Sequence, residues 1–403
     1  MRPVLAIASI LCASTLPAQI IAGINDSRSH GAVGDSLLSL DESIQLANGT
    51  IQLSALSTQE RAQLTGISGV VGTMRIDATI TPTITIERLL SNVVGQHHSH
   101  VHIVIEGISG PGGPPVLNGG SLPVTLPIRM NDAHVDNLII RGGQVGIEFD
   151  STLHYHPSEY SEFGDLRIEG QTAAGIRVLN PRNPSGQQAP LRLHAVHIHD
   201  TPIGIEIIDD SDFGNVDLDG EHVEIEHCDI GIKVSVDSRG GDHVLQLKRS
   251  QVVDVGHCVV FAHRTSTSNS RWRTRLVHGT YRAFDRAFDL TTNASAMSTF
   301  ELHHLDVRSG IASTSYALLA GPQTGHLSLL VTECTLRGPV GIAAGTGNSS
   351  MRLLNNRCEG GELSLSLTAG SGEVQWSNFT AFPIGVSAAS TALSAPIRFD
   401  GCE

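Results

Sequence analysis

The sequence is poor in aromatic side chains, in charge and in long apolar runs. Aromatic residues make up 4% of the 403 positions and charged residues 16%, whereas there are 42 glycines. After the first residues, no apolar run approaches the roughly 20 residues that a membrane-spanning helix needs. The formal net charge of −14 argues against a nucleic-acid partner, because phosphate binding needs basic patches. The composition that remains is typical of many short strands separated by tight turns.

The first 18 residues have the pattern of a secretory signal peptide. Arg2 provides a positive charge, residues 4–11 form a short apolar run, and Ala18 ends a plausible cleavage site. We therefore expect residues 1–18 to be removed. The mature protein is expected to be exported, either to the extracellular space or to the periplasm.

Few cysteines follow this segment, and their number is odd. They are Cys228, Cys258, Cys334, Cys358 and Cys402. At least one is therefore unpaired within the chain, and the spacing does not resemble that of a zinc site. Cys334 and Cys358 are placed at similar points of adjacent repeats, where they would either stack as free thiols or form a disulfide.

Residues 193–236 contain two successive copies of one pattern. The copies read LHAVHIHDTPIGIEI and HVEIEHCDIGIKV, and they align on Ile198 and Ile225. Because side chains alternate across a strand, Val196 and Ile198 share one apolar face. A unit of this size cannot bury its own apolar face, so it must stack on its neighbours.

One inward-facing anchor can be assigned to each repeat. The anchors are Ile105, Ile140, Ile168, Ile198, Ile225, Val252, Val277, Val307, Val331, Leu354, Trp376 and Phe399. Their spacing is too short for strands joined by crossover helices, and it predicts an all-β parallel β-helix solenoid of about a dozen coils. A leucine-rich repeat would show a recurring Asn, and a β-propeller would need a longer period.

The segment before the repeats predicts a short N-terminal helical cap. Residues 39–47 have helical apolar spacing with acidic residues at the start, and a strand is expected over residues 50–53. Ser57 and Glu60 form a capping-box pattern that opens a second helix. The predicted divisions are the signal peptide (1–18), the cap (19–73) and the β-helix domain (74–403).

These repeats resemble the right-handed parallel β-helix, or pectin-lyase-like, superfamily, and the resemblance covers nearly all of the mature chain. The segment LDESIQLANGTIQL, residues 40–53, also resembles the N-terminal cap of exported bacterial β-helix proteins. The resemblance implies a right-handed solenoid. It implies no single activity, because the superfamily includes pectate lyases, polygalacturonases, phage tailspikes and adhesins.

Aligning the repeats places polar residues in outward columns, with neighbours about 5 Å apart. One patch spans three coils, with Asp200, Glu226, His227 and Asp254 as candidate catalytic groups and His197, His199 and Glu224 as candidate substrate-binding groups. The carboxylates around His227 could perform acid–base hydrolysis through a water. Four of these residues, His199, Asp200, Glu226 and His227, could instead hold a divalent metal. The patch could also be a solvated face whose alternating charges favour stacking.

Two further clusters are candidate binding sites. The acidic turn with Asp209, Asp210, Asp212, Asp217 and Asp219 could bind calcium, or it could be an acidic surface loop. The basic stretch with Arg271, Trp272 and Arg273 could hold an acidic sugar, with Trp272 and Tyr281 stacking on a ring, or it could be a solvated turn. A third cluster, the alternating His98, His100 and His102, could bind a transition metal or form a polar strand face.

The resemblance to polygalacturonases is incomplete. Asp209-Asp210 and Gly256-His257 match parts of that family's motifs, but the expected Asn-Thr-Asp and Arg-Ile-Lys are missing. Resemblance to a pectate lyase would imply calcium-binding aspartates with an arginine base from residues 271–275.

Two functional hypotheses follow. The first is a binding or surface protein that contacts extracellular polysaccharide along one long face. The second is a polysaccharide lyase or glycoside hydrolase that uses the acidic patch, with or without calcium. Insertions at 150–163, 179–190, 208–220 and 263–275 would suit a loop-bordered groove. The closing residues 398–403 read as the start of another coil, so self-association is expected there.

Overall fold

The computed structural model describes residues 20–66, 71–94, 103–130, 132–150, 160–179, 189–210, 216–237, 240–264, 270–292, 297–310, 315–320, 326–344, 350–359, 363–367, 371–380, 384–388 and 398–400. This described part is all-β, with 64% strand and 6% helix, and forms a parallel β-solenoid. The predicted fold class is therefore confirmed. The right-handed coiling of the chain around the solenoid axis stays a prediction.

The helices lie at the N-terminal end and the strands follow along the chain. The helices are α1 (Leu40–Ala47), a 3₁₀ turn (Leu53–Ala55) and α2 (Thr58–Arg61). The first strands are β1 (Ile20–Ile24), β2 (Leu64–Thr65), β3 (Val71–Asp77), β4 (Thr83–Thr85), β5 (Ile103–Ile108), β6 (Val116–Asn118), β7 (Val124–Ile128), β8 (Ala133–Asp136), β9 (Ile139–Arg141) and β10 (Val145–Asp150). The middle strands are β11 (Ser161–Glu169), β12 (Ala174–Leu179), β13 (Ala189–His199), β14 (Ile203–Asp209), β15 (Val216–Glu221), β16 (Glu224–Glu226), β17 (Ile230–Val236), β18 (Gly241–Lys248), β19 (Gln251–His263) and β20 (Ser270–Thr292). The last strands are β21 (Met297–Arg308), β22 (Leu318–Ala320), β23 (His326–Thr332), β24 (Thr335–Arg337), β25 (Val340–Ala344), β26 (Ser350–Glu359), β27 (Leu363–Leu367), β28 (Ser371–Thr380), β29 (Ile384–Ala388) and β30 (Arg398–Asp400).

Parallel pairing between successive coils produces three faces. Face I is the ladder β1–β3–β5–β8–β11–β13–β15–β18–β20–β21–β23–β26–β28–β30. Face II is the ladder β4–β6–β9–β11–β13–β16–β19–β20–β21–β24–β26–β28. Face III is the ladder β7–β10–β12–β14–β17–β19–β20–β22–β25–β27–β29. The long strands β11, β13, β19, β21, β26 and β28 bend at a corner and contribute to two faces, and β20 bends twice and contributes to all three.

In nine successive coils, beginning with the β8–β9 coil, the chain turns from face I to face II through one residue with positive φ. These residues are Asn137, Asp165, Ala195, His222, Arg249, His278, His304, Glu333 and Asn355, with φ between 47° and 56°. A single left-handed residue redirects the strand without a loop. These nine coils therefore have no loop at this corner, whereas residues 78–82 and 109–115 form loops there in the first two coils.

The inward column of face II is confirmed from Ile140 to Val252, whereas Ile105, the first predicted anchor, lies on β5 of face I as the partner of Val135. Ile140, Ile168, Ile198, Ile225 and Val252 are Cα partners in series, and all are buried. Alternation puts every second side chain of each strand inside, where the apolar groups of stacked coils pack on one another.

The later part of the predicted anchor column was wrong. Val252 pairs with Tyr281 rather than with Val277, which lies at the end of face I opposite Lys248. The face II column then continues through Val307, Leu336, Cys358 and Phe379. The sequence pattern combined anchors from two ladders, because both corners of a coil are flanked by apolar residues. The number of coils accordingly differs somewhat from the predicted dozen.

The cap helices are confirmed and the strand between them is not. Ser39 with Glu42 and Ser57 with Glu60 form two complete capping boxes. Residues 50–53 form no strand, because the backbone turns into the 3₁₀ segment there. β1 pairs in parallel with β3, so the stack already includes residues assigned to the cap. The helix α1 packs against both strands at this end.

The stacking of Cys334 on Cys358 was also wrong in register. Leu336 is the partner of Cys358. The side chain of buried Asn356 occupies the space next to Cys334. Its Oδ1 accepts the Cys334 N–H at 2.9 Å, and its Nδ2 donates to the Val331 carbonyl at 2.9 Å. Cys228, Cys258 and Cys334 are free, buried thiols. The chain ends its face I ladder with β30, and self-association at this coil stays a prediction.

Candidate functional site

The predicted polar patch is assembled on the outer side of face II. Arg167, His197 and Glu224 form one column, and Glu169, His199 and Glu226 form the column beside it. The register expected from the aligned repeats is therefore confirmed. Parallel strands set neighbouring residues of a column about 4.8 Å apart, so the two columns form a continuous polar surface.

The centre of this patch is a chain of carboxylate, imidazole and carboxylate. His199 Nε2 lies 3.0 Å from Glu169 Oε2, and His199 Nδ1 lies 2.8 Å from Asp200 Oδ2. The side chains of Glu169 and His199 are each 11% exposed, whereas that of Asp200 is 62% exposed. His199 Nε2 also accepts a hydrogen bond from Arg167 Nε at 3.0 Å. The imidazole therefore lies between the buried Glu169–Arg167 ion pair and an exposed carboxylate.

Two arginines complete the buried end of this chain. Arg141 Nε donates to Glu169 Oε1 at 2.6 Å, and Arg167 Nε lies 2.8 Å from Glu169 Oε2. Burial alone would raise the pKa of Glu169, but the hydrogen bond and charge of Arg141, with the charge of Arg167, lower it overall. Glu169 is therefore ionised at neutral pH and holds its cationic neighbours in place.

The exposed members of the patch are also partly paired. His197 Nε2 lies 2.9 Å from Glu226 Oε1, and His227 Nδ1 lies 3.8 Å from Asp200 Oδ1. The hydrogen bond from His199 lowers the pKa of Asp200, and the nearby positive charges add to this effect. Asp254 is exposed, and its side chain forms no hydrogen bond or ion pair with the residues that the structure describes.

The column of Asp200, His227 and Asp254 has a backbone explanation that the sequence did not reveal. All three have φ of 53–55° at the corner between faces II and III, where Gly142, Gly170 and Gly338 stand in other coils. Asp, Asn and His tolerate the left-handed region better than most other residues. Their residue types therefore follow in part from the turn, independently of any chemistry.

The structure disperses the aspartates that were predicted to bind calcium. Asp209 ends β14 with a fully buried side chain, 3.0 Å from His243 Nε2, whereas Asp217 and Asp219 lie on β15 of face I. Asp210 is exposed, and Asp212 lies outside the described residues. Partial burial, and then the charge of Asp219, raises the pKa of Asp217. Within the described ranges, no group of three His, Cys, Asp or Glu residues is arranged to hold a metal.

The prediction of aromatic stacking by residues 271–281 was wrong. Trp272 and Tyr281 are each 1% exposed, and Trp272 stacks on His243 with ring centroids 5.6 Å apart. Arg271 and Arg273 are exposed on face I. The stretch is a strand with strict alternation, Ser270 to Leu276 being buried at every second position. That alternation was present in the sequence and could have identified Trp272 as an interior residue.

His98, His100 and His102, the predicted transition-metal ligands, lie outside the described residues.

An acidic cleft on face I was missed by the sequence analysis. It has a volume of about 280 Å³ and is lined by Glu106, Asp136, Glu162, Asp165, His134 and His194, with Gly164 at its base. A Cβ atom on Gly164 would lie 2.9 Å from Asp136 Oδ1, so glycine leaves room for that carboxylate. Partial burial and then the charges of the surrounding carboxylates raise the pKa of Asp136. A carboxyl group with a raised pKa beside ionised ones is suited to proton transfer.

The predicted insertions all join face III to face I. Residues 150–163 connect β10 to β11, 179–190 connect β12 to β13, 208–220 connect β14 to β15, and 263–275 connect β19 to β20. Face II is the side of the solenoid that does not adjoin this corner. The patch around His199 therefore lies on the face that does not adjoin the described ends of these insertions.

Comparison of the chain with protein-family models, curated proteins and solved structures found no significant match. The parallel β-solenoid is thus established by its own strand pairing. In a separate search of the described residues, none of the helices is long and apolar enough to cross a membrane.

Proposed function

We propose that the chain is an exported β-helix protein, of the right-handed pectin-lyase-like type, that binds an extracellular polysaccharide along face II. The observation that supports this proposal most strongly is the open outer surface of face II, with hydrogen-bonding groups repeated on consecutive coils. An extended glycan presents hydroxyl groups at regular intervals, and a flat, regular strand ladder can contact several successive sugar units.

The polar groups of this face are held before any ligand arrives. Glu169 fixes Arg141 and Arg167, and the imidazole of His199 is fixed by a hydrogen bond from Arg167 and by its contact with Asp200. A surface whose side chains are already ordered loses less conformational entropy on binding. Exposed groups such as His197, Glu226 and Asp200 retain free donor or acceptor positions for sugar hydroxyls.

The alternative function is a glycan lyase or hydrolase acting at the same patch. The observation that favours it is the Arg167–His199–Asp200 arrangement, because an imidazole held by Arg167 at one nitrogen and paired with an exposed carboxylate at the other can take part in proton transfer. Asp200, Glu226, His227 and Asp254 remain the candidate catalytic residues for this alternative. Calcium would be a cofactor only for the lyase form.

One experiment distinguishes these functions. The mature protein is mixed with neutral and acidic polysaccharides, with and without calcium, and its thermal midpoint, reducing ends and unsaturated-product absorbance are followed. The binding function predicts a raised midpoint without product, and loss of that shift in a variant with His197→Ala and Glu226→Gln. Gln246→Ala on face I is the matched control and should retain it.

The other possible results would support the enzyme alternative or contradict the binding proposal. Product that disappears in Asp200→Asn or Asp254→Asn would establish an enzyme at the face II patch. Product that disappears only in Asp136→Asn would place catalysis in the acidic cleft of face I. A protein that responds to none of the glycans would contradict the binding proposal.

A further inference from the structure

Four arginines cluster on face II in the C-terminal coils. Arg282, Arg308 and Arg337 are successive Cα partners in one outward column, and Arg357 lies in the adjacent column as the partner of Thr335. Like charges stacked about 4.8 Å apart repel one another. Such a column is stable only if nearby carboxylates compensate its positive charges.

Two carboxylates pair with three of these arginines. Asp306 accepts from Arg282 Nη2 at 2.9 Å through Oδ2, and from Arg337 Nη1 through Oδ1. Glu359 accepts from Arg337 Nε at 2.8 Å, and its other oxygen lies 2.7 Å from Arg357 Nε. Every carboxylate oxygen of the pair is therefore engaged by a guanidinium group other than that of Arg308.

Arg308 is left as an exposed cation. Its side chain has no hydrogen bond or ion pair with the described residues, although it stands between Arg282 and Arg337 in the column. Four guanidinium groups face two carboxylates, so the cluster carries an excess of two positive charges. This excess is notable in a chain with a formal net charge of −14.

Arg308 also lines a cleft at the corner between faces II and III. The cleft has a volume of about 420 Å³, and its other lining residues are Ser309, Gly310, Arg337, Gly338, Pro339 and Glu359. Gly338 has φ +125°, and a Cβ on it would lie 2.0 Å from Ser309 Oγ. A Cβ on Gly310 would lie 1.9 Å from the Phe284 carbonyl oxygen. Glycine therefore permits the close packing at the base of the cleft.

We propose that this cleft is a subsite for the carboxylate of an acidic sugar unit, with Arg308 as its cation. The inference rests on the proposed polysaccharide-binding function. A guanidinium group offers two parallel N–H donors that match a carboxylate. Glu359 at the wall disfavours a dianion such as phosphate more than a singly charged carboxylate. Phe284, whose carbonyl oxygen adjoins Gly310, is 69% exposed on the neighbouring coil.

The test uses two ligands that differ only in the carboxylate. Binding of an oligoglucuronate and of its carboxyl-reduced, neutral form is measured by titration calorimetry. The wild-type protein should bind the acidic form about 10- to 100-fold more tightly, the range expected for one charge-assisted pair. Arg308→Gln should abolish that preference while leaving affinity for the neutral form unchanged.

A charge-matched control excludes a general electrostatic effect. Arg249 is exposed at the corner between faces I and II and is paired with Glu221 at 2.9 Å. Arg249→Gln removes the same charge and should keep the preference. Salt should weaken the preference of the wild-type protein as well, because exposed charges are screened.

The failures of the two proposals are distinguishable. Binding of both oligosaccharides without preference would overturn the subsite and leave the polysaccharide-binding proposal intact. A preference that persists in Arg308→Gln would place the acidic subsite elsewhere. A protein that binds neither ligand, nor any glycan of the earlier panel, would overturn both.

Discussion

Two aspartate–histidine pairs of this protein have similar chemistry and opposite surroundings. Asp209 and His243 lie 3.0 Å apart with both side chains 0% exposed, at the corner between faces III and I. Asp200 and His199 lie 2.8 Å apart, with Asp200 62% exposed at the border of face II. The first pair belongs to the interior and the second to a surface that can meet a ligand.

The hydrogen-bond partners of the two histidines explain the difference. The Val216 N–H donates to His243 Nδ1 at 3.2 Å, so the ring proton lies on Nε2, facing Asp209. Trp272 covers the ring of His243. His199, in contrast, is held between Glu169 and Asp200, and the outer carboxylate stays open to water. Burial of the partners therefore makes the first pair part of the interior, whereas the second pair lies on the surface that we propose for binding.

The largest expected effect is that of breaking the interior pair. Asp209→Ala leaves the Nε2–H of His243 without its carboxylate in a dry interior, so the free energy of unfolding should fall by about 3 kcal/mol. Denaturant titration measures this change. Asp210→Ala, at the exposed neighbouring residue, should change stability by less than about 0.5 kcal/mol. Equal effects of the two substitutions would contradict the comparison.

The second effect concerns the pH dependence of stability. Burial, and then the nearby His243, lowers the pKa of His263 from 6.5 to about 4. Between these values the unfolded chain binds a proton that the folded protein does not, so stability falls as the pH decreases from about 6.5 towards about 4. The loss should reach up to about 3 kcal/mol.

Substitution of the buried histidine tests the origin of this slope. His263 Nε2 and Nδ1 face Ser270 Oγ at 2.9 Å and Ser298 Oγ at 3.1 Å, contacts that a glutamine amide can partly replace. His263→Gln should flatten the slope measured by denaturant titrations at several pH values. His227→Gln at the exposed corner should leave it in place. An unchanged slope in His263→Gln would show that another group titrates.

The surface pair predicts a loss of affinity with little change in stability. Asn tolerates the left-handed backbone of residue 200, so Asp200→Asn should alter the free energy of unfolding by less than about 0.5 kcal/mol. Loss of the charged acceptor should weaken polysaccharide binding about 3- to 10-fold. Parallel unfolding and calorimetric titrations separate the two quantities. Substantial unfolding without a change in affinity would make this pair structural, like the interior one.

The smallest effect is expected at Asp254. Glycine occupies the equivalent corner at Gly170, with φ +71°, and Asp254 itself has φ 53°. Asp254→Gly should therefore leave the unfolding free energy within about 0.5 kcal/mol of the wild-type value. Its polysaccharide affinity should also be unchanged, since the side chain is unpaired and at the edge of the patch. Strongly reduced affinity would extend the binding surface to this coil.

Much of the fold could be predicted because it depends on local alternation and on short repeats. The pairing of His197 with Glu224 and of His199 with Glu226 follows directly from aligning Ile198 with Ile225. The predicted anchor column was wrong after Val252. The bent strand β20 carries apolar residues on both sides of its corner, so Val277 matches the repeat pattern as well as Tyr281 does. The ladder that a residue joins depends on the bend, and the bend has little sequence signal.

For the candidate site, the sequence predicted only which residues share an outward column. The sequence indicated that His199 neighbours Asp200 and the coil of Glu226. The aligned repeats placed Glu169 next to His199 in one column, but they did not indicate which side chains pair, because pairing depends on the direction each side chain takes. Arg308 was missed for the same reason, since its lack of a partner depends on which oxygens of Asp306 and Glu359 are already used.

By itself, the sequence determined an all-β solenoid with a helical cap, because alternation and capping residues act over a few positions. The tertiary structure alone decided which polar residues are interior and which are exposed. Asp209 and Asp210 are adjacent in sequence, yet one is buried beside His243 and the other faces water. The physical reason is that burial and ion pairing are set by neighbouring coils about 30 residues away, whereas strand formation is set by the residues alongside.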